Sequence, residues 1–360
     1  GEGHDAWVAV SADSGVTWGA PVRVNERDGR VSSYPESRPV AAWGEGGLLF
    51  VAYAAKRDSG LYADDVAVRT SRDGGATWDA PVLVNSDRDR PRSCYHGFAA
   101  LTVLPDGTPF VAWIDGRSHE GEGDEPGRAE VWCASSADSG RSWGADRRVA
   151  GEVCPCCHIR LDARTIGGVT RVAIAYRGAR EDLRDPRLAV SDDGGATFAR
   201  DTLVAWDRWR LPGCPSVGPA VVLDDSGATV AWFTGESPDD DSLPGRPAPG
   251  LYLATWNGAS GATGERRSLG EGLGEASRPL LARLPSGTLA AAIGRAPAPS
   301  ARTALGLRVV GADGALSPWT TLGGGVTSAD VVTLGTAVWA AWTERHGDET
   351  RVRMARLDAR

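Results

Sequence analysis

Three thiols and an imidazole fall within five residues at Cys154-Pro155-Cys156-Cys157-His158, in a chain that has only six cysteines. Thiolate and imidazole are the donors that select soft or borderline ions, Cu(I) and Zn(II) foremost. Cys94, with His96 two residues on, precedes this run by 60 residues (154−94), and Cys214 follows it by 60 (214−154). One expectation is therefore a metal site assembled from Cys156, Cys157 and Cys214 with His158 or His96, and with Cys94 and Cys154 close by. A competing expectation is a staple: Cys154, Cys156 or Cys157 bridged to Cys214 or Cys94 wherever Cα atoms approach within about 7 Å. A catalytic thiol is the third, since neighbouring arginines lower a thiol pKa. Cys133, inside the apolar stretch Val131–Ala134, reads as a buried and inert thiol.

These residues need a scaffold that brings positions 60 apart together, and the chain contains a repeat of about that length. Ser11-Ala12-Asp13-Ser14-Gly15-Val16-Thr17-Trp18 recurs from Ser71, Ser136 and Ser191, the last copy ending in Phe198. Each copy follows an alternating strand pattern and precedes another. The Asp side chain can accept backbone N–H groups of its own turn, and the Gly supplies a positive φ, so each copy is a hairpin turn. Asp13, Asp73, Asp138 and Asp193 are therefore structural.

The pattern S-x-D-x-G-x-T-W resembles the Asp-box, or BNR repeat, of the sialidase-like β-propeller superfamily. The resemblance implies an all-β, six-bladed propeller, one domain over residues 1–360. Units begin near 36, 94, 154, 214 and 276, and a last unit, 327–360, is to be completed by N-terminal strands around Trp7–Val10 and Pro21–Val24. Both Val352–Leu357 and Trp7–Val10 fit the third strand of that last blade, which has room for one. Closure of this kind removes free sheet edges.

On a propeller the loops leading into the inner strands share a face with the loops between second and third strands, and the Asp-boxes occupy the opposite face. The first face then carries the cysteines with Arg38, Asp115, Arg117, Arg177, Glu181, Glu236 and Arg278. Sialidases of the superfamily hold the substrate carboxylate with three arginines and use a Tyr, activated by a Glu, as nucleophile with an Asp as acid/base. Arg38, in Ser37-Arg38-Pro39, resembles the first arginine, and Arg278 a further one. The fourth inner strand is instead preceded by Gly213-Cys214-Pro215-Ser216, and no Tyr follows Tyr252. Standard sialidase activity is not expected, although Asp115, Glu181 and Glu236 remain as carboxylates for other glycosidic chemistry. The cysteine-bearing loops also resemble a Cys-Pro-Cys-Cys subset of exported Asp-box proteins of uncertain activity.

The leading expectation is thus an exported, periplasmic or secreted protein that binds copper, or zinc, for metal handling or metal-dependent redox chemistry. The alternative is a glycan-binding or glycoside-hydrolase propeller, with Arg38, Arg117 and Arg278 facing an anionic sugar and the cysteines stapled. A net charge of −8 excludes non-specific nucleic-acid binding, which needs a basic face. No apolar run reaches the roughly 18 residues of a membrane span. Gly1–Asp5 is no signal peptide, and the start reads as cut, either by processing or by design. A monomer is expected.

Overall fold

The computed structural model describes the chain except residues 1–2, 35, 59–62, 89–93, 119–128, 237–244, 271–273, 286, 296–302 and 359–360. Of 274–277, 289–292, 295 and 358 it describes the backbone alone. Among the described residues the only helices are two three-residue 3₁₀ turns, Glu45–Gly47 and Arg180–Asp182. The rest of the ordered structure is antiparallel sheet. Two compact units are present. One comprises 1–184, 188–202 and 212–216, the other 185–187, 203–211 and 217–360.

The first unit opens with a two-stranded ribbon, Trp7–Val8 against Val22–Arg23, joined by the first Asp-box. A five-stranded sheet follows, centred on Leu49–Lys56 and Asp64–Ser71. Next comes a four-stranded meander of His96–Val103, Pro109–Asp115, Ala129–Ser135 and Arg147–Val153. The third sheet begins with Arg160–Ile166 and Val169–Arg177. Phe50, Ala52, Val66 and Val68 of the five-stranded sheet pack against Val111, Trp113 and Ala134 of the meander. The other face of the meander, with Phe110, Ala112 and Ile114, packs against Val172, Ile174 and Tyr176. A central strand covered on both faces must be apolar at every position, which is why Phe110-Val111-Ala112-Trp113-Ile114 shows no alternation and is fully buried.

The second unit holds two further four-stranded sheets and a three-stranded one, Val326–Leu334, Ala337–His346 and Glu349–Asp358. Strands begin at Val40, His96, Arg160, Ala220, Gly274 and Val326, within a few residues of the expected units. The composite last blade needs correction. Glu349–Asp358 takes the third-strand position beside Ala337–His346, and ten residue pairs run in register between them. Trp7–Val8 and Val22–Arg23 pair with each other instead.

All four Asp-boxes have one geometry. At Ser71–Trp78, Asp73 Oδ1 accepts from the Thr77 amide at 2.8 Å and Oδ2 from the Thr77 hydroxyl at 2.6 Å. The Ser71 hydroxyl donates to Asp73 and accepts from the Gly75 amide at 2.7 Å. These hydrogen bonds, led by that of Thr77, lower the Asp73 carboxyl to about 2. Gly140, in the third box, has φ +83°, and a Cβ there would stand 2.9 Å from the Phe50 ring of the preceding sheet. Its glycine serves both the turn and the packing of one sheet on the next.

Candidate functional site

His96 opens one strand of the meander and Asp115 closes the next, and the register places them opposite each other. The boxes of this unit follow the far ends of the third strands: Ser135 pairs with Phe110, and Asp138 comes just after. Six residues of strand, roughly 20 Å, separate Asp138 from His96. In this meander the box and the loop that carries Cys94 therefore lie at opposite ends of the strands.

The candidate ligands do not gather into one site. They form two groups within the first unit. In the first, the donor atoms of Asp87, Cys94, His96 and Asp115 lie within 4.8 Å of one another. In the second, the same holds for the sulfurs of Cys154, Cys156 and Cys157. His158, half-buried, belongs to neither.

The first group is a closed network of charge. His96 has no exposed surface; its Nδ1 lies 2.7 Å from the Asp64 carbonyl oxygen and therefore carries the donated proton. Nε2 lies 3.0 Å from Asp87 Oδ1 and 3.4 Å from Asp115 Oδ2. Burial disfavours the imidazolium, but the hydrogen bonds of Asp87 and Cys94 and the charge of Asp115 outweigh it and raise His96 to about 10. Asp87, despite its burial, is held well below the usual carboxylate range by the same ion pair, by Asn85 and by Arg117. Burial pushes the Cys94 thiol up. Arg117 grips Asp115 with two donors, Nε at 2.9 Å and Nη2 at 2.7 Å, and reaches Asp146 at 2.6 Å. Its guanidinium also stands 3.7 Å above the Trp132 ring. These four donor atoms could hold a metal ion, and His96 and Arg117 balance the carboxylates among them.

The second group is a loop of thiols. Cys156 is joined to Cys214 in a disulfide, Cα to Cα 6.0 Å. In the bonded state neither sulfur is a thiolate, so this pair matches the expected staple, and either could act as a ligand only after reduction. Cys154 and Cys157 are buried and outside any disulfide, their sulfurs 3.0 Å apart, and Cys154 Sγ lies 3.7 Å from Cys156 Sγ. The Cys157 hydrogen bond lowers the Cys154 thiol against the cost of burial, with the Cys156 amide, Arg184 and Arg177 adding to it. Cys154 is pinned by its amide, which donates to the Arg177 carbonyl at 2.8 Å. Arg177 in turn donates to the Arg184 carbonyl, and Arg184 Nη2 donates to the Gly213 carbonyl at 3.0 Å. Cys133 is fully buried, and desolvation raises it to about 12, the inert thiol expected.

The remaining expected pocket residues are dispersed. Arg117 and Arg177 are buried and engaged as described. Arg38 borders a cleft of about 360 Å³ with Asp5, Trp7 and Val40. Glu181 and Glu236 are exposed. Arg278 lies inside the strand Gly274–Leu284 and donates to the Thr327 carbonyl at 3.1 Å. Asp87, Asp146 and Arg184 were not anticipated. Each sits in a loop outside the repeat, where no spacing marks it. Cys154-x-x-Cys157 was in plain view but hidden by the Cys156 between them.

No family model matches the chain, and no curated protein matches it. Solved structures do. A Hadza microbial sialidase is 17% identical with TM-score 0.51, over 84% of this chain and 62% of that one. The chain thus spans less than two-thirds of that sialidase. A protein of unknown function from Dyadobacter fermentans is 15% identical with TM-score 0.54, over 92% and 97%. The NanB sialidase from Streptococcus pneumoniae is 11% identical with TM-score 0.57, over 97% and 72%. With four Asp-boxes in place and almost no helix, the chain has the all-β fold of the sialidase-like Asp-box propellers.

Proposed function

We propose that this chain is a metal-binding protein on the sialidase fold, which takes a thiophilic ion, copper before zinc, at the loop Cys154–Cys157. The observation that supports it is the convergence of three sulfurs of one loop within 4.8 Å. Reduction of the bond to Cys214 makes Cys156 the third donor beside Cys154 and Cys157. Three thiolates are a soft donor set, which suits Cu(I). The protein serves in metal handling or in metal-dependent redox chemistry. Its disulfide favours an oxidising, extracytoplasmic compartment, periplasmic or secreted. No helix among the described residues is long and apolar enough to cross a membrane.

Anaerobic titration of the reduced protein with Cu(I), against a chromophoric chelator, tests this reading. About one Cu(I) per chain is expected to bind. Cys154→Ser, Cys156→Ser and Cys157→Ser should each weaken binding by orders of magnitude, with Cys133→Ser and Cys214→Ser close to the parent. Equal affinity in the parent and the Cys154→Ser variant would refute the site.

A second reading, a glycan-binding or glycosidic propeller, draws on Arg38 beside its cleft, where Trp7 is 58% exposed and offers a ring face to a sugar. It loses Arg117, whose donors are committed to Asp115 and Asp146. With no Tyr after Tyr252 to act as nucleophile, purified protein is expected to release no sialic acid from a fluorogenic sialoside. Turnover abolished by Arg38→Ala would reverse that conclusion.

A further inference from the structure

We propose that the Cys154/Cys157 dithiol exchanges with the Cys156–Cys214 disulfide, making this loop an internal thiol–disulfide relay between a buried dithiol and a surface sulfur. The argument rests on which sulfurs are adjacent. Cys154 Sγ lies 3.0 Å from Cys157 Sγ and 3.7 Å from Cys156 Sγ, so one sulfur borders both the second thiol and the disulfide-bonded sulfur. At the other end of the bond, Cys214 is exposed and its sulfur lies 3.1 Å from the Ser216 hydroxyl. That hydroxyl can donate to the sulfur and stabilise it as a leaving thiolate.

The chemistry balances without an external oxidant. The Cys154 thiolate attacks Cys156 Sγ; the Cys154–Cys156 bond forms, the Cys156–Cys214 bond breaks, and Cys214 leaves with the electron pair. The Cys157 thiolate then attacks Cys154 Sγ; the Cys154–Cys157 bond forms and Cys156 leaves as thiolate. The protons of Cys154 and Cys157 pass to Cys214 and Cys156. One disulfide and two thiols stand on each side. Exchange of this type depends on a sulfur nucleophile within reach and a leaving group that can hold charge; Cys154 stands 3.7 Å from Cys156 Sγ, and Cys214 has the Ser216 hydroxyl at 3.1 Å.

The loops need not separate while the bond is open. Arg184 holds Gly213, the neighbour of Cys214, at 3.0 Å through a hydrogen bond independent of the disulfide. The backbone of Cys154 is tied to Arg177, and Ala179 donates to the Glu152 carbonyl at 2.8 Å. Electrons stored in the buried pair thus become available at exposed Cys214. A partner able to use them is a disulfide presented at the surface by another molecule. The relay does not require a metal. Both proposals use the same loop, but their readouts are separate.

The test starts from two samples, the purified protein as isolated and fully reduced protein reoxidised with one equivalent of diamide. Each is acid-quenched at intervals, alkylated and mapped by peptide mass spectrometry. Both samples are expected to converge, over minutes to hours, on the same mixture of Cys156–Cys214 and Cys154–Cys157 bridges. Cys157→Ser should lose the Cys154–Cys157 bridge. Cys154→Ser should freeze the protein as Cys156–Cys214, with Cys214 closed to alkylation. A parent protein that holds a single, unchanging bridge from either start would overturn the relay. Because that measurement needs no variant to fold, a misfolded substitution leaves it decisive. Failure of exchange with Cu(I) binding intact would sink the relay alone; failure of Cu(I) binding with exchange intact would sink the metal site alone.

Discussion

Arg117→Ala is expected to cost roughly 3–5 kcal/mol of folding stability, the range for removing one partner of a buried charge network. The change takes from three carboxylates, Asp87, Asp115 and Asp146, the guanidinium on which they converge. It also removes the cation above Trp132. Arg117→Lys should recover part of the loss, because an ammonium restores the charge but not the two-donor grip on Asp115. The same network makes stability depend on pH. His96 is raised to about 10, against about 6.5 unfolded, so its contribution is complete below about 6.5 and is lost as pH rises through 10. Between those values the slope approaches about 1.4 kcal/mol per pH unit. Asp87 is shifted down, so its contribution is present above about 3.9 and is lost on acidification. The two shifts share one ion pair and are not additive. Denaturant melts from pH 5 to 10 should show stability falling steadily above neutrality, and His96→Gln should flatten that fall. An Arg117→Ala protein within 1 kcal/mol of the parent would show that the network is not the centre described.

The second large effect belongs to the disulfide. Cys156 and Cys214 are 58 residues apart, and in the chain-entropy account a loop of that length is worth roughly 4 kcal/mol through the unfolded state. Cys214→Ser should lower the melting temperature by as much as reduction lowers that of the parent, and reduction should then change the variant little. Cys133→Ser should have no such effect. A Cys214→Ser protein as stable as the oxidised parent would mean that Arg184 and the surrounding loop hold the two segments unaided.

Much of the fold was legible because its signals are local. Ser71, Asp73, Gly75 and Thr77 close their own turn, so eight residues suffice to recognise it, and four copies set the spacing of the sheets. What stayed ambiguous was non-local. The third strand of the last sheet had two candidates, and only the ten-residue register of Ala337–His346 with Glu349–Asp358 decides between them. The site was harder. The 60-residue spacing rightly placed Cys94, Cys154 and Cys214 on corresponding loops, but spacing does not say where a side chain points. Cys94 turns to Asp87 and His96, whereas Cys154 turns to Cys157. Asp87, Asp146 and Arg184 come from loops of irregular length between sheets, where side-chain partners follow from the packed structure and from no periodicity. The three arginines expected at the mouth illustrate the same limit. Arg117 is spent on its own carboxylates, and Arg278 lies within a strand.

The separations along the chain also imply an order of assembly. Every Asp-box turn is closed by side chains two to four residues from their partners, at a small cost in chain entropy, so it can form as soon as its residues leave the ribosome. Sheet pairing then extends from hairpin ends, where Ile166 meets Val169, to partners farther apart, such as His96 and Asp115. The bond between Cys156 and Cys214 comes last, because it requires two loops that the finished sheets bring together. A chain emerging from the amino end therefore meets its simplest folding tasks first, and its sulfur chemistry waits until most of the first unit is built.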